Sequence, residues 1–237
     1  MDIVVAPDPP SAAHEAAAWI ARQLRIAVSR RGEASVAFSG GSTPTLMLAA
    51  LAELPVPWAV TSVFQVDERL APDGDPDRNA SLLDVLKPHR PMIRLMPVTA
   101  HDLDAARRRY ATSLPARLDI VHLGVGDDGH TASWPPGDPV IEDRGTVAIS
   151  REYNGRVRMT LTVSAVNAAR RRLVLATGAA KAPVIERWLL HDHGLPVDRV
   201  NRTNTVVVLD ADAAARLPYG RPASPSASPT PGSRQPR

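Results

Sequence analysis

The chain has 237 residues, 28 Lys and Arg against 25 Asp and Glu for a formal charge of +3, and no cysteine. The missing cysteines exclude disulfide frameworks, thiolate nucleophiles and cysteine-ligated zinc. Arg221, Arg234 and Arg237, in a segment without acids, account for the whole excess charge. The body is therefore neutral, and a nucleic-acid partner is not expected.

In chain order, a short strand over residues 3–6 precedes an alanine-rich helix over 11–30, with Trp19, Ile20, Leu24 and Val28 at helical spacing. A strand over 34–38 runs into Ser39-Gly40-Gly41-Ser42-Thr43-Pro44 and then a helix over 45–51, with Thr43 suited to the cap and Pro44 to the first turn. The alternation continues with a strand over 61–66 ending in Asp67-Glu68-Arg69, then helices near 79–86 and over 102–114. A strand over 119–123 leads into Gly124-Val125-Gly126-Asp127-Asp128-Gly129-His130. Further strands are expected over 157–163, 172–177 and 205–209, with a helix over 179–190. This order predicts an α/β fold of Rossmann-like topology, an open, mostly parallel sheet with helices on both faces. Residues 1–217 form the expected single domain. Residues 218–237, rich in Pro and Ser, lack apolar periodicity and are expected to be disordered.

No run approaches the ~18 apolar residues of a membrane span, and the first residues carry no basic leader pattern. A cytoplasmic protein without membrane partners is the expectation. Two basic runs, Arg107 to Arg109 and Arg170 to Arg172, read as solvated faces, since no aromatic platform accompanies them.

Gly124, Gly126 and Gly129 satisfy G-x-G-x-x-G, but a dinucleotide loop must open a helix. Trp134-Pro135-Pro136-Gly137 forbids one, and Asp127 and Asp128 would repel a pyrophosphate. The loop reads instead as a turn presenting His130, flanked by acids that can orient it. Strand exits of a parallel sheet share one edge, so this loop, the glycine loop and Asp67-Glu68-Arg69 should converge. Paired glycines before a helix leave backbone amides free for an anion, which makes Gly40, Gly41, Ser42 and Thr43 a phosphate cradle. It is not a Walker A loop, which requires Gly-Lys-Ser/Thr. Lys181, one of two lysines in the chain, follows a strand and can add a point charge. Asp67, Glu68 and Arg69 are expected to face the cleft, and Arg158 is either an edge charge or a second anion contact. No G-x-S-x-G elbow supports a serine hydrolase around Ser42, and His122 and His130 lack metal-ligand spacing.

Together with Gly178-Ala179-Ala180-Lys181-Ala182, these segments resemble the family that unites 6-phosphogluconolactonases with glucosamine-6-phosphate deaminases, over nearly the whole chain up to the tail. The resemblance implies no cofactor and no metal. It also implies a sugar-phosphate substrate held by residues 40–43 and Lys181, His130 as base, and hydrolysis of 6-phospho-D-glucono-1,5-lactone in the oxidative pentose phosphate pathway. Asp128 and Asp67 are the carboxylates expected beside the catalysis, with Arg69 or backbone amides on the oxyanion. Either a monomer or a small homo-oligomer is compatible.

Two alternatives follow from the same resemblance. Deaminases place a glutamate shortly after the histidine; the nearest here is Glu142, beyond Pro135, Pro136 and Pro139, which disfavours that chemistry. A non-catalytic sugar-phosphate-binding protein is the other. Such sensors append a DNA-binding unit, for which a strand starting at Ile3 leaves no expected space. Trp134-Pro135-Pro136 stands where the lactonases more often have Leu-Phe-Pro and leaves the substrate-facing wall open.

Overall fold

In the computed structural model, residues 1–41 and 43–218 are described; Ser42 and the expected tail from 219 onward lie outside the described residues. The first strand, β1 (Asp2–Ala6), leads into the long helix α1 (Pro9–Arg31). Asp8 caps that helix by accepting from the Ser11 amide at 2.7 Å, and Pro9 and Pro10 fill the first turn, where a missing N–H costs nothing. Gly32, at φ 79°, ends it, its amide donating to Val28 O at 2.8 Å. Next come β2 (Ala34–Phe38), α2 (Thr43–Ala52), β3 (Thr61–Gln65) and β4 (Asp67–Arg69). Residues Asn79–His89 form a 3₁₀ segment in place of the expected helix. β5 (Met92–Arg94), α3 (Leu103–Ser113), β6 (Ile120–Leu123), β7 (Val147–Ile149), β8 (Arg158–Leu161) and α4 (Val163–Ala168) follow. The last elements are β9 (Arg171–Ala176), a 3₁₀ turn (Ala179–Lys181), α5 (Ala182–Leu189) and β10 (Thr205–Asp210).

Seven strands form one wholly parallel sheet in the order β1-β10-β9-β6-β2-β3-β5, with Val36 beside Val63 on one side and Ile120 on the other. Both faces are covered, which is why the central strands read as continuous apolar runs. Val36, Phe38, Ile120, Leu173 and Val208 pack with Ile20, Leu24, Met47 and Leu48 from α1 and α2. The opposite face places Val121, Leu123, Val174 and Val207 against Tyr110 of α3 and Ile185 and Trp188 of α5. Each fully buried Leu or Ile contributes about 1.5–3 kcal/mol relative to exposure.

The expected strand over 157–163 is not part of this sheet. As β8 it pairs antiparallel with β4 and β7 in a separate three-stranded sheet, and the segment 67–69, read as a loop, is its edge strand. Strand propensity is local, whereas the choice of sheet depends on long-range pairing. Arg172 also departs from its expected solvated face: it is 2 % exposed and donates to the carbonyls of Asn167 (3.0 Å) and Ala169 (2.9 Å), which the end of α4 leaves unpaired. Among the described residues no helix is long and apolar enough to cross a membrane.

Candidate active site

After β2 the chain moves outward to β3 and β5 and then returns to place β6 on the other side of β2. Strand order reverses between β2 and β6, and ligands of open α/β sheets bind in the crevice outside such a switch point. The loop after β2 carries Gly40 and Gly41, and the loop after β6 carries His130. Here a cavity of about 210 Å³ is lined by residues of both loops together with Thr43, Asp67, Arg69, Arg158 and Lys181. The expected convergence of the three loops is therefore present. Ser42 falls between two lining residues and outside the described residues.

At the glycine end, Gly41 takes φ 110°, a conformation that L side chains resist. A Cβ on Gly40 would lie 1.8 Å from Oδ1 of Asn79. Asn79 needs that room: its Nδ2 donates to Asp67 O at 2.9 Å, and its Oδ1 accepts from Arg69. Thr43 is the first residue of α2, so the helix N-terminus and its positive dipole end face the cavity. Ser39 adds a buried hydroxyl without a partner among the described residues. An unsatisfied buried hydroxyl costs about 1–3 kcal/mol, which a ligand oxygen would recover. Across the cavity, Lys181 Nζ reaches Asp127 Oδ1 at 2.6 Å.

At the histidine end, Asp128 Oδ1 lies 2.6 Å from His130 Nδ1. An ionised carboxylate can only accept, so Nδ1 donates and the lone pair is on Nε2. Burial works to raise the Asp128 carboxyl, but hydrogen bonds from Tyr153 and His130 outweigh it and hold the group below its ordinary range. Gly126 makes this loop possible, since a Cβ there would lie 2.0 Å from His130 Nδ1. Gly129, at φ 85°, completes the turn, with its amide on Gly126 O at 2.9 Å. No α-helix follows directly: residues 131–138 are turns and an isolated bridge between Thr131 and Trp134.

Period-two alternation along β4 separates its three charges. Asp67 and Arg69 face the cavity. Glu68 does not, contrary to expectation; it is fully buried, accepts from the amides of Asn79 (2.7 Å) and Ala80 (2.9 Å) and pairs with Arg78 at 3.0 Å. It thus caps the 3₁₀ segment and anchors Asn79. Asp67 accepts from Ser133 Oγ at 2.8 Å and makes no bond to His130, so Asp128 alone of the two carboxylates holds the imidazole. Burial pushes Asp67 up, against the Ser133 hydrogen bond and the charges of Arg69 and Arg158. Arg158 is lowered by burial and by Arg69, and its guanidinium carbon lies 5.2 Å from the Tyr153 ring centroid. Trp134 is core: fully buried, it donates to Leu161 O at 2.8 Å, and along this loop the cavity lining ends at Ser133.

Sequence reading missed Asn79 and Tyr153. Asn79 carried no local signal, whereas Tyr153 precedes Asn154-Gly155, a dipeptide that marks a tight hairpin turn.

A helix N-terminus with a lysine across from it and a carboxylate-held imidazole, gathered at the switch point of a parallel sheet, define an α/β enzyme suited to a small anionic substrate. Comparison with known proteins narrows the class. The family described as glucosamine-6-phosphate isomerases/6-phosphogluconolactonase matches residues 7–209, and the chain belongs to it. Similar relatives include the 6-phosphogluconolactonase of Mesorhizobium japonicum, 37% identical over 178 residues that cover 68% of this chain and 73% of the relative. That of Streptomyces coelicolor is 30% identical over 246 aligned positions, covering 91% and 94%. A crystal structure of a 6-phosphogluconolactonase from Shewanella baltica superposes with a TM-score of 0.80 at 25% identity, covering 89% of this chain and 97% of that one.

Proposed function

We propose that this chain hydrolyses 6-phospho-D-glucono-1,5-lactone to 6-phosphogluconate, in the oxidative pentose phosphate pathway, with His130 as general base. The observation that carries this reading is the Asp128 contact to Nδ1, which leaves Nε2 of a cavity-lining imidazole free. The sugar phosphate sits on the amides of Gly40, Gly41 and Thr43, where the loop meets the start of α2. Lys181 exchanges its partner Asp127 for a phosphate oxygen. Anchoring at this end fixes the C1 carbonyl against the base.

In the chemical step, Nε2 takes a proton from water as the oxygen attacks C1, and the carbonyl electrons move onto its oxygen. Arg69 and Arg158, both lining the cavity, stabilise that oxyanion. Collapse of the tetrahedral intermediate breaks the bond from C1 to the ring oxygen, which takes the proton back from the imidazolium. The product carboxylic acid then ionises to solvent. Asp67, held by Ser133, adds a buried carboxylate whose charge acts on both arginines. Deaminase chemistry finds no support at Glu142, whose carboxylate is exposed and paired with Arg199 at 2.8 Å.

The test follows freshly generated lactone against its spontaneous opening, with glucosamine 6-phosphate as control. The protein should accelerate only the lactone, and His130→Ala should lower kcat by about 10²–10⁴ with KM little changed. Full rate in His130→Ala, or no acceleration by the wild-type protein, would sink the reading.

A further inference from the structure

Tyr153 stands outside the cavity, 23 residues beyond His130, and the reaction as drawn does not use it. Its hydroxyl donates to Oδ2 of Asp128 at 2.7 Å, the carboxylate oxygen that His130 leaves free. Its ring meets the imidazole edge-on, with centroids 5.4 Å apart at 66°. The guanidinium carbon of Arg158 lies 5.2 Å from the centroid of the same tyrosine ring. Asp128 and His130 are only part-buried, and the His130 ring and the His130 amide (3.2 Å) both bond Oδ1, so without Tyr153 the carboxylate could turn about that oxygen, open Oδ2 to water and let the imidazole turn. A bond on Oδ2 removes that freedom.

The position of Tyr153 is itself secured from outside the site. It sits at the tip of the hairpin between β7 and β8, where Asn154 (φ 50°) and Gly155 (φ 71°) make the turn and Tyr153 bridges Arg156. Arg156 then pairs with Asp77 at 2.9 Å and Asp75 at 3.2 Å. The same short loop holds Arg69, which donates to Asp77 O at 2.8 Å. One clamp thus fixes both the hairpin that reaches the base and the arginine that faces the carbonyl.

We infer that Tyr153 is a positioning residue for the reaction: by occupying the second oxygen of Asp128 it fixes the carboxylate on Nδ1 of His130, and the Arg156 clamp holds it there. The inference rests on His130 being the base. Tyr153→Phe removes one hydroxyl and keeps the ring. Its kcat should fall about tenfold with KM within about twofold, because the lost bond orients a base and touches no substrate. In protein labelled with ¹⁵N-histidine, the His130 ring should pass from a single tautomer with the proton on Nδ1 to a mixture. Added to Asp128→Asn, Tyr153→Phe should cost almost nothing further, because both changes break one chain of contacts. Arg156→Ala should lower kcat in the same sense but by less.

Unchanged kcat and an unchanged His130 spectrum in Tyr153→Phe would overturn the inference. So would full additivity with Asp128→Asn, or a loss confined to KM, which would make Tyr153 a substrate contact. His130→Ala measured alongside separates the two levels: full activity there removes the base itself. An inactive His130→Ala beside a fully active Tyr153→Phe removes only the role given to Tyr153.

Discussion

The two ends of the cavity are built on different principles. At the glycine end the proposed binding groups are backbone amides at the start of α2, and side chains matter chiefly by leaving room, as Gly40 does for Asn79. At the histidine end the groups are side chains held by other side chains, in the sequence Tyr153, Asp128, His130. Their origins differ as well. The parallel sheet supplies both loops and Lys181, while the small antiparallel sheet supplies Asp67, Arg69 and Arg158 and carries Tyr153 at its hairpin tip. A backbone site binds a charge without needing its exact protonation, whereas proton transfer needs one tautomer in one orientation. Substrate affinity and chemical rate should therefore respond to separate sets of substitutions.

Gly40→Ala should break this division most severely. The new Cβ must displace Asn79, which frees Arg69, so an anion-end change reaches the reaction end. Both KM and kcat should suffer, with kcat/KM down about a hundredfold and stability reduced by about 1–3 kcal/mol, measured by steady-state kinetics and denaturant melts. Lys181→Ala should respect the division: KM rises about 10-fold or more while kcat stays within about threefold. Its counterpart Asp127→Asn, which releases the lysine, should lower KM slightly. A fall in kcat for Lys181→Ala at saturating lactone would show that the two ends are not separable.

Asp67→Asn sharpens the comparison through pH. Burial raises the folded Asp67 above its ordinary value of 3.8, so the folded state holds this proton more tightly than the unfolded chain. The resulting stabilisation is complete below that value and is lost as pH rises through the raised one. The asparagine variant cannot ionise, so its melting temperature relative to wild type should increase as pH rises from the ordinary carboxylate value through the raised one, while kcat falls. A melting difference that shrinks with pH would contradict the burial argument. The smallest effect is expected for Glu142→Gln, which loses only an exposed ion pair with Arg199; lactonase activity should stay within about twofold.

Much of this site was legible because its logic is local. Glycines at 40, 41, 126 and 129 announce turns, and each position has a physical demand in the structure: Asn79 against Gly40, φ 110° at Gly41, an imidazole against Gly126 and φ 85° at Gly129. Strand followed by polar loop located the cavity edge, since parallel strands end together. Asp128 lies two residues from His130, within reach of a single turn. Illegible were the groups that arrive from afar. Asn79 and Tyr153 come from a 3₁₀ segment and a hairpin whose places depend on the second sheet. Glu68 carries the same charge as Asp67, yet the pleat of β4 turns it inward to cap a helix. Arg172 looked like its neighbours in a basic run and proved to be the buried partner of carbonyls at the end of α4.

By itself the sequence determined the class of fold, and which loops and which imidazole meet at the cavity. Hydrophobic period and glycine chemistry are properties of short stretches, and they survive in any arrangement of the chain. Tertiary structure decided which acid serves the histidine, which charges reach the cavity and which are spent on the scaffold. Those outcomes depend on burial and on contacts between residues distant in the chain, such as Ser133 with Asp67 and Arg156 with Asp77. Such energies exist only once the sheets have formed.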